Sequence, residues 1–371
     1  AQQMAALQLS TAVNLLMAGA NMLLMYGGAL GQPAGEGAPG AGLLPTAPPP
    51  PLPAPAQPAP EEAPVAAPAE PAPAAPAAAA ETPAPASAPP SPAVVTSAAI
   101  VLPTSFSVPP EKVSAPIRTV TLGGSGTRTS AVTLGGASAL PFRHFEGDTG
   151  HRPAIAMEVF DRVPRSYPES LRAAYGSLLD DPAAMARCCV EEHGAEVISV
   201  RLEGAHPDNG DCSPEDAARV VERVLKAVGV PLIVTGPAHF AKTNEVLKQV
   251  ASAFAGENLL LSWAETDNYK TIAAAAMAYN HCVVAQTPID VNMAKQLNIL
   301  LTNMGLAPEK IVVDALTGAL GYGLEYTYSV MERIRTAAFT GDPMLAMPML
   351  GTPGFEVAKT KESKAPASAF P

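Results

Sequence analysis

The sequence is poor in cysteine, in aromatic residues and in positive charge. Only four cysteines occur in 371 residues, aromatic residues make up 5%, and the formal net charge is −11. A protein that binds nucleic acid needs a basic surface to neutralise phosphates, usually with interleaved aromatic residues. The sequence has no such basic stripe, so we predict no nucleic-acid partner.

The four cysteines are Cys188, Cys189, Cys212 and Cys282. They form no C-x-x-C pair, and no histidine stands at zinc-ligand spacing from them. An iron–sulfur cluster requires four closely grouped thiolates. We therefore expect no metal and no iron–sulfur cluster on this chain, and free buried thiols of the kind found in a reducing cytoplasm.

Long hydrophobic runs are also missing. The most apolar stretch, residues 15–25, is interrupted by Asn21 and is much shorter than the ~20 residues that span a membrane. The first residues lack the basic region and the cleavage motif of a signal peptide. The sequence predicts no membrane contact and a cytoplasmic location.

Proline, by contrast, is abundant and unevenly placed. Most of the 41 prolines lie between Pro33 and Pro110, and residues 31–99 are almost wholly Pro, Ala, Gly and Glu. Such a composition buries too little apolar surface to offset the loss of chain entropy on folding. We predict a disordered linker over residues 31–99, with a bias to extended polyproline II.

The linker separates a short N-terminal piece from the rest of the chain. Apolar spacing in residues 1–30 predicts a helix over 3–17 and a strand over 20–26. Residues 100–152 predict an extended segment and a β-hairpin, because the similar pieces TVTLGG and AVTLGG flank a turn rich in Gly, Ser and Thr. Residues 153–371 form the predicted main domain.

Strands and helices alternate regularly in this main domain. The helix after Ser213 has the clearest signals, with Ser213 as N-cap, Pro214 as first residue and Gly229 beyond its end. Repeated strand and helix predict a parallel sheet. Six apolar runs, each followed by a segment able to form a helix, begin near Ile155, Val197, Leu232, Leu259, Val283 and Ile311.

The number of strands favours a closed barrel. Residues 346–350 supply a seventh strand, and the N-terminal helix and strand would supply the missing last unit. We therefore predict a TIM (β/α)8 barrel, apparently circularly permuted, with the N-terminal β-hairpin before the first barrel strand. An open, doubly wound sheet is the alternative.

A glycine-rich segment after the sixth apolar run carries the clearest functional signal. The run ends on Asp314, and the chain then passes through Thr317, Gly318, Gly321 and Gly323 into a helix that we expect to start near Gly321. Small residues let a backbone approach a bulky ligand, and a helix N-terminus presents free N–H groups. The alternative is a tight turn whose glycines only relieve steric conflict.

Polar residues follow the predicted strands at the end where β/α barrels bind ligands. No strand-end lysine, nucleophile with its base, or metal cluster accompanies them. The face thus predicts binding of a large neutral or amide-rimmed ligand rather than covalent chemistry. A helix N-cap or a salt bridge is the alternative role for each carboxylate, and for Asp290 the N-cap is our prediction. These strand-end residues are Glu158, Arg201, Glu203, Thr235, His239, Trp263, Glu265, Asn268, Tyr269, Gln286, Thr287, Asp290, Asp314, Thr317 and Tyr322.

Several segments resemble a known family. They are RHFEG from Arg143, AGENLLLSWAETDNYK from Ala255, KQLNILLTNMGL from Lys295 and DALTGALGYGLEYTYSVMERIR from Asp314. Over about residues 119–370 the chain resembles the small subunit of the corrinoid iron–sulfur protein. That family is also called the delta subunit of the acetyl-CoA decarbonylase/synthase or CO dehydrogenase/acetyl-CoA synthase complex. The N-terminal TAVNLLMAGANMLLMY resembles the family's C-terminal helix and last strand, which supports the permuted order.

The resemblance implies a barrel that pairs with a large (gamma) subunit carrying a 4Fe-4S cluster and a corrinoid domain. It implies a corrinoid (cobalamin) shared with that subunit at the barrel face. The methyl group would pass from a methyl-pterin methyltransferase to acetyl-CoA synthase/CO dehydrogenase, as in the Wood–Ljungdahl pathway, and this chain would be a non-catalytic or accessory subunit. The resemblance assigns to the corrinoid or partner face Asn268, Tyr269, Thr287, Asp314, Thr317, Gly321 and Tyr322.

Two other functions stay open at this point. A pterin-dependent methyltransferase acting directly on a corrinoid has the same architecture, and would bind a methyl-pterin through Asp314 and Asn268. An aldolase-like barrel is disfavoured, because no lysine stands at a strand end. Fold class alone does not choose among these functions.

Overall fold

The computed structural model describes residues 8, 11, 12, 15, 20–26, 112–164 and 167–364. Residues 8, 11, 12 and 15 are helical, as predicted for the N-terminal piece. The predicted linker over residues 31–99 and the remainder of the predicted N-terminal helix lie outside the described residues.

Parallel strands close into a barrel. The described strands are β1 (Met22–Tyr26), β2 (Val120–Gly123), β3 (Ala131–Leu134), β4 (Ala154–Phe160), β5 (Val197–Arg201), β6 (Leu232–Thr235), β7 (Leu260–Ala264), β8 (Cys282–Gln286), β9 (Ile311–Asp314) and β10 (Met349–Gly351). Around the barrel the order is β1, β10, β9, β8, β7, β6, β5, β4. This confirms the predicted TIM-type barrel and is incompatible with an open, doubly wound sheet. β2 and β3 form a separate antiparallel pair.

Helices alternate with these strands. They are α1 (Glu169–Tyr175), α2 (Pro182–Glu191), α3 (Pro214–Ala227), α4 (Phe240–Ala253), α5 (Tyr269–Tyr279), α6 (Val291–Asn303), α7 (Leu324–Phe339), α8 (Pro353–Lys359) and α9 (Lys361–Lys364). Two predicted N-caps are confirmed, since Ser213 Oγ accepts a hydrogen bond from Asp216 N at 3.1 Å and Asp290 Oδ1 accepts one from Met293 N at 2.9 Å. Each bond satisfies an N–H group that the helix leaves unpaired.

The longest helix in the described ranges, α7, has 16 residues. None of the helices in this part of the chain is long and apolar enough to cross a membrane.

The N-terminal strand β1 lies between the first and the last strand of the main domain. It pairs in parallel with β4, where Met25 is beside Met157. It also pairs in parallel with β10, where Leu23 is beside Gly351. Hydrogen bonding on both sides leaves neither β4 nor β10 with a free edge. The origin of this strand order by circular permutation stays a prediction.

Asn21 and Arg335 hold the start of β1 in place. Asn21 Oδ1 accepts hydrogen bonds from Arg335 Nη2 and, at 3.1 Å, from Met349 N. The Asn21 carbonyl accepts from Ala154 N at 3.1 Å. Arg335 is 1% exposed and also donates to Met347 O at 3.0 Å. One asparagine therefore connects β1 to α7, β10 and β4.

The hairpin of β2 and β3 closes the N-terminal end of the barrel. Val120, Leu122 and Leu134 are fully buried and belong to the cluster of apolar side chains inside the barrel. Arg128, near the hairpin turn, donates to Val228 O at 2.6 Å beyond the C-terminal end of α3, where a cation is favoured. The hairpin leaves the C-terminal ends of the strands as the open face of the barrel.

The barrel interior changes from apolar to polar towards that open face. Side chains alternate along a strand, so every second residue points inward. One inward layer is apolar and at most 1% exposed: Ala156, Val197, Ile233, Val284 and Val312. Two residues further along the same strands, the inward positions are polar: Glu158, Ser199, Thr235, Gln286 and Asp314.

We expect Asn21→Ala to lower the free energy of unfolding by about 3 kcal/mol. The change removes one acceptor from a buried guanidinium and the acceptor of Met349 N. Asn21→Asp keeps an acceptor at each position and adds a charge opposite Arg335, so it should retain wild-type stability. Urea unfolding followed by circular dichroism measures both differences.

The matched control is Asn303→Ala, at the exposed last position of α6. It should change the free energy of unfolding by less than about 0.5 kcal/mol. If Asn21→Ala is as stable as this control, the asparagine does not hold β1 in place.

Candidate functional site

A buried ion pair occupies the polar end of the barrel. Arg201 Nε donates to Glu158 Oε1 at 2.7 Å, and the two side chains are 4% and 0% exposed. The Arg201 guanidinium also lies 4.3 Å from the centre of the Phe355 ring on α8, a cation–π contact. This pair therefore connects β4 and β5 to the helix that follows β10.

Asp314, the last residue of β9, is buried near this pair. Its Oδ2 accepts a hydrogen bond from Gln286 Nε2, and its Oδ1 accepts one from Leu316 N, each at 2.9 Å. Burial is the main cause that raises the pKa of Asp314 to about 6. Glu356 adds to the shift, whereas the two hydrogen bonds and Arg201 oppose it. The carboxyl group therefore titrates close to neutral pH.

The glycine-rich loop after β9 is held firmly at its base. Gly318 N donates to Thr327 Oγ1 at 2.8 Å, and Thr352 N donates to Thr317 Oγ1 at 2.9 Å. A Cβ on Gly318 would lie 2.5 Å from the carbonyl carbon of Gly323. Only glycine fits at that position, so Gly318 relieves a steric conflict, and binding of a ligand by the loop stays a prediction.

The helix that follows this loop begins at Leu324, and the expected start near Gly321 is wrong. Gly321 and Gly323 have φ values of +77° and +98°, which favour glycine and break a right-handed helix. Tyr322 stands between them, 50% exposed. Its hydroxyl donates to Glu362 Oε2 at 2.9 Å, which connects the loop to α9.

Asn268 and Tyr269 lie where the loop after β7 enters α5. Asn268 is 4% exposed, its Oδ1 accepts from Glu265 N at 2.7 Å, and its Nδ2 donates to Trp263 O at 3.4 Å. The Asn268 amide therefore stabilises its own loop. A pterin bound through Asn268 would have to compete with these bonds.

Thr287 begins the loop after β8 and is 2% exposed. Its backbone N–H donates to Asp314 O at 3.0 Å, so the β8 and β9 loops are joined. Among the described residues its buried hydroxyl has no hydrogen-bond partner. A buried hydroxyl without a partner costs free energy, and a group bound nearby could satisfy it.

The seven residues assigned by resemblance thus lie on one side of the open face, in the loops after three neighbouring strands. Their role in binding stays a prediction. Asn268 and Tyr269 follow β7, and Thr287 follows β8. Asp314 ends β9, and the residues after it are Thr317, Gly321 and Tyr322.

Exposed apolar side chains lie in the loops after β8 and β9 and in the first turn of α7. We name them the apolar rim: Ile289, Leu316, Leu320, Tyr322 and Tyr326, which are between 37% and 64% exposed. Exposed apolar surface in neighbouring loops makes these residues candidates for an interaction site. Apart from Tyr322, the sequence analysis missed these residues, because an apolar residue in a loop or in the first turn of a helix has no signal that distinguishes it from a core residue.

A cavity of about 280 Å³ opens on the other side of the face, between the loops after β4, β5 and β6 and helix α8. We name it the proline-walled cavity. Sequence reasoning identified Glu203 as a strand-end carboxylate but not the cavity, which forms only when distant loops meet. Its walls are Pro164, Tyr167, Pro168, Glu203, His206, Pro237, Ala238, Phe355, Ala358 and Lys359.

The cysteines lie in separate parts of the barrel. Cys188 and Cys189 are buried on α2, Cys282 is buried in β8, and Cys212 is half-buried before α3. Within the described ranges, no group of three or more His, Cys, Asp and Glu side chains is placed to hold a metal ion.

These features define a β/α-barrel protein whose open face lies at the C-terminal ends of the strands. The family model of the CO dehydrogenase/acetyl-CoA synthase delta subunit matches residues 119–365. The chain belongs to this family, as the sequence segments predicted.

Curated relatives carry the same subunit name. The acetyl-CoA decarbonylase/synthase complex subunit delta of Archaeoglobus fulgidus is 39% identical over 242 residues, 65% of this chain and 53% of the relative. The subunit of the same name from Methanothermobacter thermautotrophicus is 40% identical over 251 residues, 66% of this chain and 64% of the relative. This chain therefore spans between about half and two thirds of the length of these relatives.

Asp314→Asn should change how stability depends on pH. The folded-state pKa of about 6 lies above the ordinary value of 3.8. The protonated form is therefore favoured by folding, and the stability it contributes is present below about pH 4 and is lost as pH rises through about 6. Asparagine does not titrate, so the stability of Asp314→Asn relative to wild type should rise by about 2 kcal/mol from pH 4 to pH 8.

Urea unfolding at several pH values measures this difference. Asp267→Asn is the control, because it removes an exposed carboxylate from the β7 loop, and its difference from wild type should stay constant. A constant difference for Asp314→Asn as well would show that the buried carboxyl does not titrate near neutral pH.

Proposed function

We propose that this chain is the small (delta) subunit of a corrinoid iron–sulfur protein. Its open barrel face would shelter a corrinoid while a methyl group passes from a methyl-pterin methyltransferase to acetyl-CoA synthase. Membership of the delta-subunit family supports the subunit role. The observation that carries the corrinoid role is the apolar rim beside a buried polar centre.

The residues of this side fit a large macrocycle with neutral amide side chains. The apolar rim offers surface for a ring system, and a Cβ at Gly321 would meet nothing within 4 Å, so the loop tip borders open space. The buried hydroxyl of Thr287 has no partner among the described residues. Gln286 and Asp314 form a polar floor in which the Gln286 amide donates to the Asp314 carboxyl group.

When bound, the corrinoid would supply the cobalt that carries the methyl group. This chain would bind and orient the corrinoid and would exclude water from it. The apolar rim would cover the macrocycle, the β8 and β9 loops would set its distance from the barrel, and Asp314 would fix the amide of Gln286. In this proposal the chain is an accessory subunit, and no described residue is assigned a catalytic step.

The partners follow from this arrangement. A large (gamma) subunit carrying a 4Fe-4S cluster and the corrinoid domain would contact the apolar rim and share the corrinoid. The methyltransferase and acetyl-CoA synthase/CO dehydrogenase would need access to the same face in turn, because each exchanges the methyl group there.

Leu320→Asp should weaken binding of the large subunit at least about tenfold, because it places a charge in the apolar rim. Phe145→Asp is the matched control, since Phe145 is 67% exposed and lies in the segment before β4. Co-purification with a tagged large subunit, quantified together with the cobalamin absorption spectrum, measures both variants.

Equal loss with Phe145→Asp would show that the effect is not specific to the rim. A wild-type complex that contains both subunits but has no cobalamin absorption would overturn the sheltering role.

A further inference from the structure

The proline-walled cavity lies outside the side that the resemblance assigns, and its size suits one functional group of a ligand. Pro164, Pro168 and Pro237 form rigid apolar walls, and Phe355 adds an aromatic one. Ala238, also in the wall, has φ +57°, a conformation that costs free energy for a residue with a Cβ and occurs often at ligand sites.

Two polar side chains of the cavity come from one short turn. His206 N donates to Glu203 O at 3.0 Å, so the turn fixes the two residues relative to each other. Asp208 N donates to His206 Nδ1 at 3.1 Å. Because Nδ1 accepts, the neutral imidazole carries its proton on Nε2 and can donate from there. The cavity therefore combines a carboxyl acceptor with an imidazole donor.

The Glu203 side chain is partly buried. Burial is the main cause that raises its pKa, and Glu158 and Asp161 act in the same direction, whereas Arg201 and His206 oppose the shift. The Nε of Arg201 already donates to Glu158. Burial removes hydrogen bonds that water would donate to this carboxyl group. A ligand with N–H donors would replace those hydrogen bonds.

Lys359, the remaining charged residue of the cavity, already has two partners. Its Nζ lies 2.7 Å from Glu356 Oε1 and 3.8 Å from the centre of the Phe355 ring. The ammonium group is therefore balanced by a carboxylate, and it does not make the cavity a site for anions.

We propose that the proline-walled cavity binds a neutral primary amide, whose N–H groups donate to Glu203 and whose carbonyl accepts from His206 Nε2. A carboxylate ligand would meet Glu203 as a like charge, and an amine would leave the imidazole donor without an acceptor. The identity of the amide rests on the proposed function. If that function holds, the amide is a carboxamide side chain of the corrinoid.

Small amide and carboxylate molecules test the proline-walled cavity in the absence of the corrinoid. Propionamide and propionate are titrated separately into the millimolar range against the isotope-labelled chain, since fragments of this size bind weakly. Chemical shifts of the backbone amides of His206 and Ala238 are followed. We expect saturable shifts with propionamide and at least about tenfold weaker binding of propionate.

Variants separate recognition from general effects. Glu203→Gln can donate a hydrogen bond to a carboxylate, so it should remove the preference for propionamide over propionate. His206→Phe keeps a ring but loses the donor, and it should weaken propionamide binding about tenfold. Asp267→Asn removes an exposed carboxylate of the same face outside the cavity and should bind both probes as wild type does. Equal binding of propionamide and propionate by wild type, or an unchanged preference in Glu203→Gln, would overturn the proposal.

The complex with the large subunit then distinguishes this pocket from the corrinoid role. Propionamide binding in a chain whose complex contains no cobalamin would leave the amide pocket standing and refute the proposed function. A cobalamin-containing complex formed by a chain that binds no propionamide would support the proposed function and refute the pocket.

Discussion

The insertion of β1 between β4 and β10 is the contact on which the rest of the structure depends. Without β1 these two strands would each present unpaired N–H and C=O groups along one edge, and the sheet would be open. Closure requires a strand that is apolar along its length but correctly anchored at its start. Asn21 meets the second requirement, because its side chain and backbone bond to α7, β10 and β4 at once.

Closure also determines what the open face can be. The hairpin fills the N-terminal end with buried apolar side chains, so polar residues can occupy the other end without leaving a solvent channel. A buried ion pair such as Arg201 with Glu158 contributes little net stability, because desolvation offsets the attraction. Its geometric effect is larger, since the arginine contacts strand and helix residues that are distant in sequence. The pair keeps the face in one arrangement.

Much of this fold could be predicted from the sequence, and the failures have physical causes. Alternating apolar runs and N-cap residues such as Ser213 and Asp290 act locally, so their signals are readable in the sequence. Asn21 appeared only as an interruption of an apolar run, because its partner Arg335 is distant in sequence. The start of α7 was misplaced, since glycine signals a turn as well as a helix boundary. The apolar rim and the proline-walled cavity depend on which loops become neighbours, and local patterns do not report this.

The two sides of the open face are joined electrostatically through Arg201. The guanidinium opposes the upward pKa shift of Asp314 on one side and of Glu203 on the other, and it contacts the Phe355 ring in the cavity wall. In a buried setting of low dielectric such effects extend further than in water. A ligand that neutralised or displaced one carboxyl group would alter how strongly Arg201 favours ionisation of the other. The face is therefore one electrostatic unit, although its apolar rim and its cavity lie on different sides.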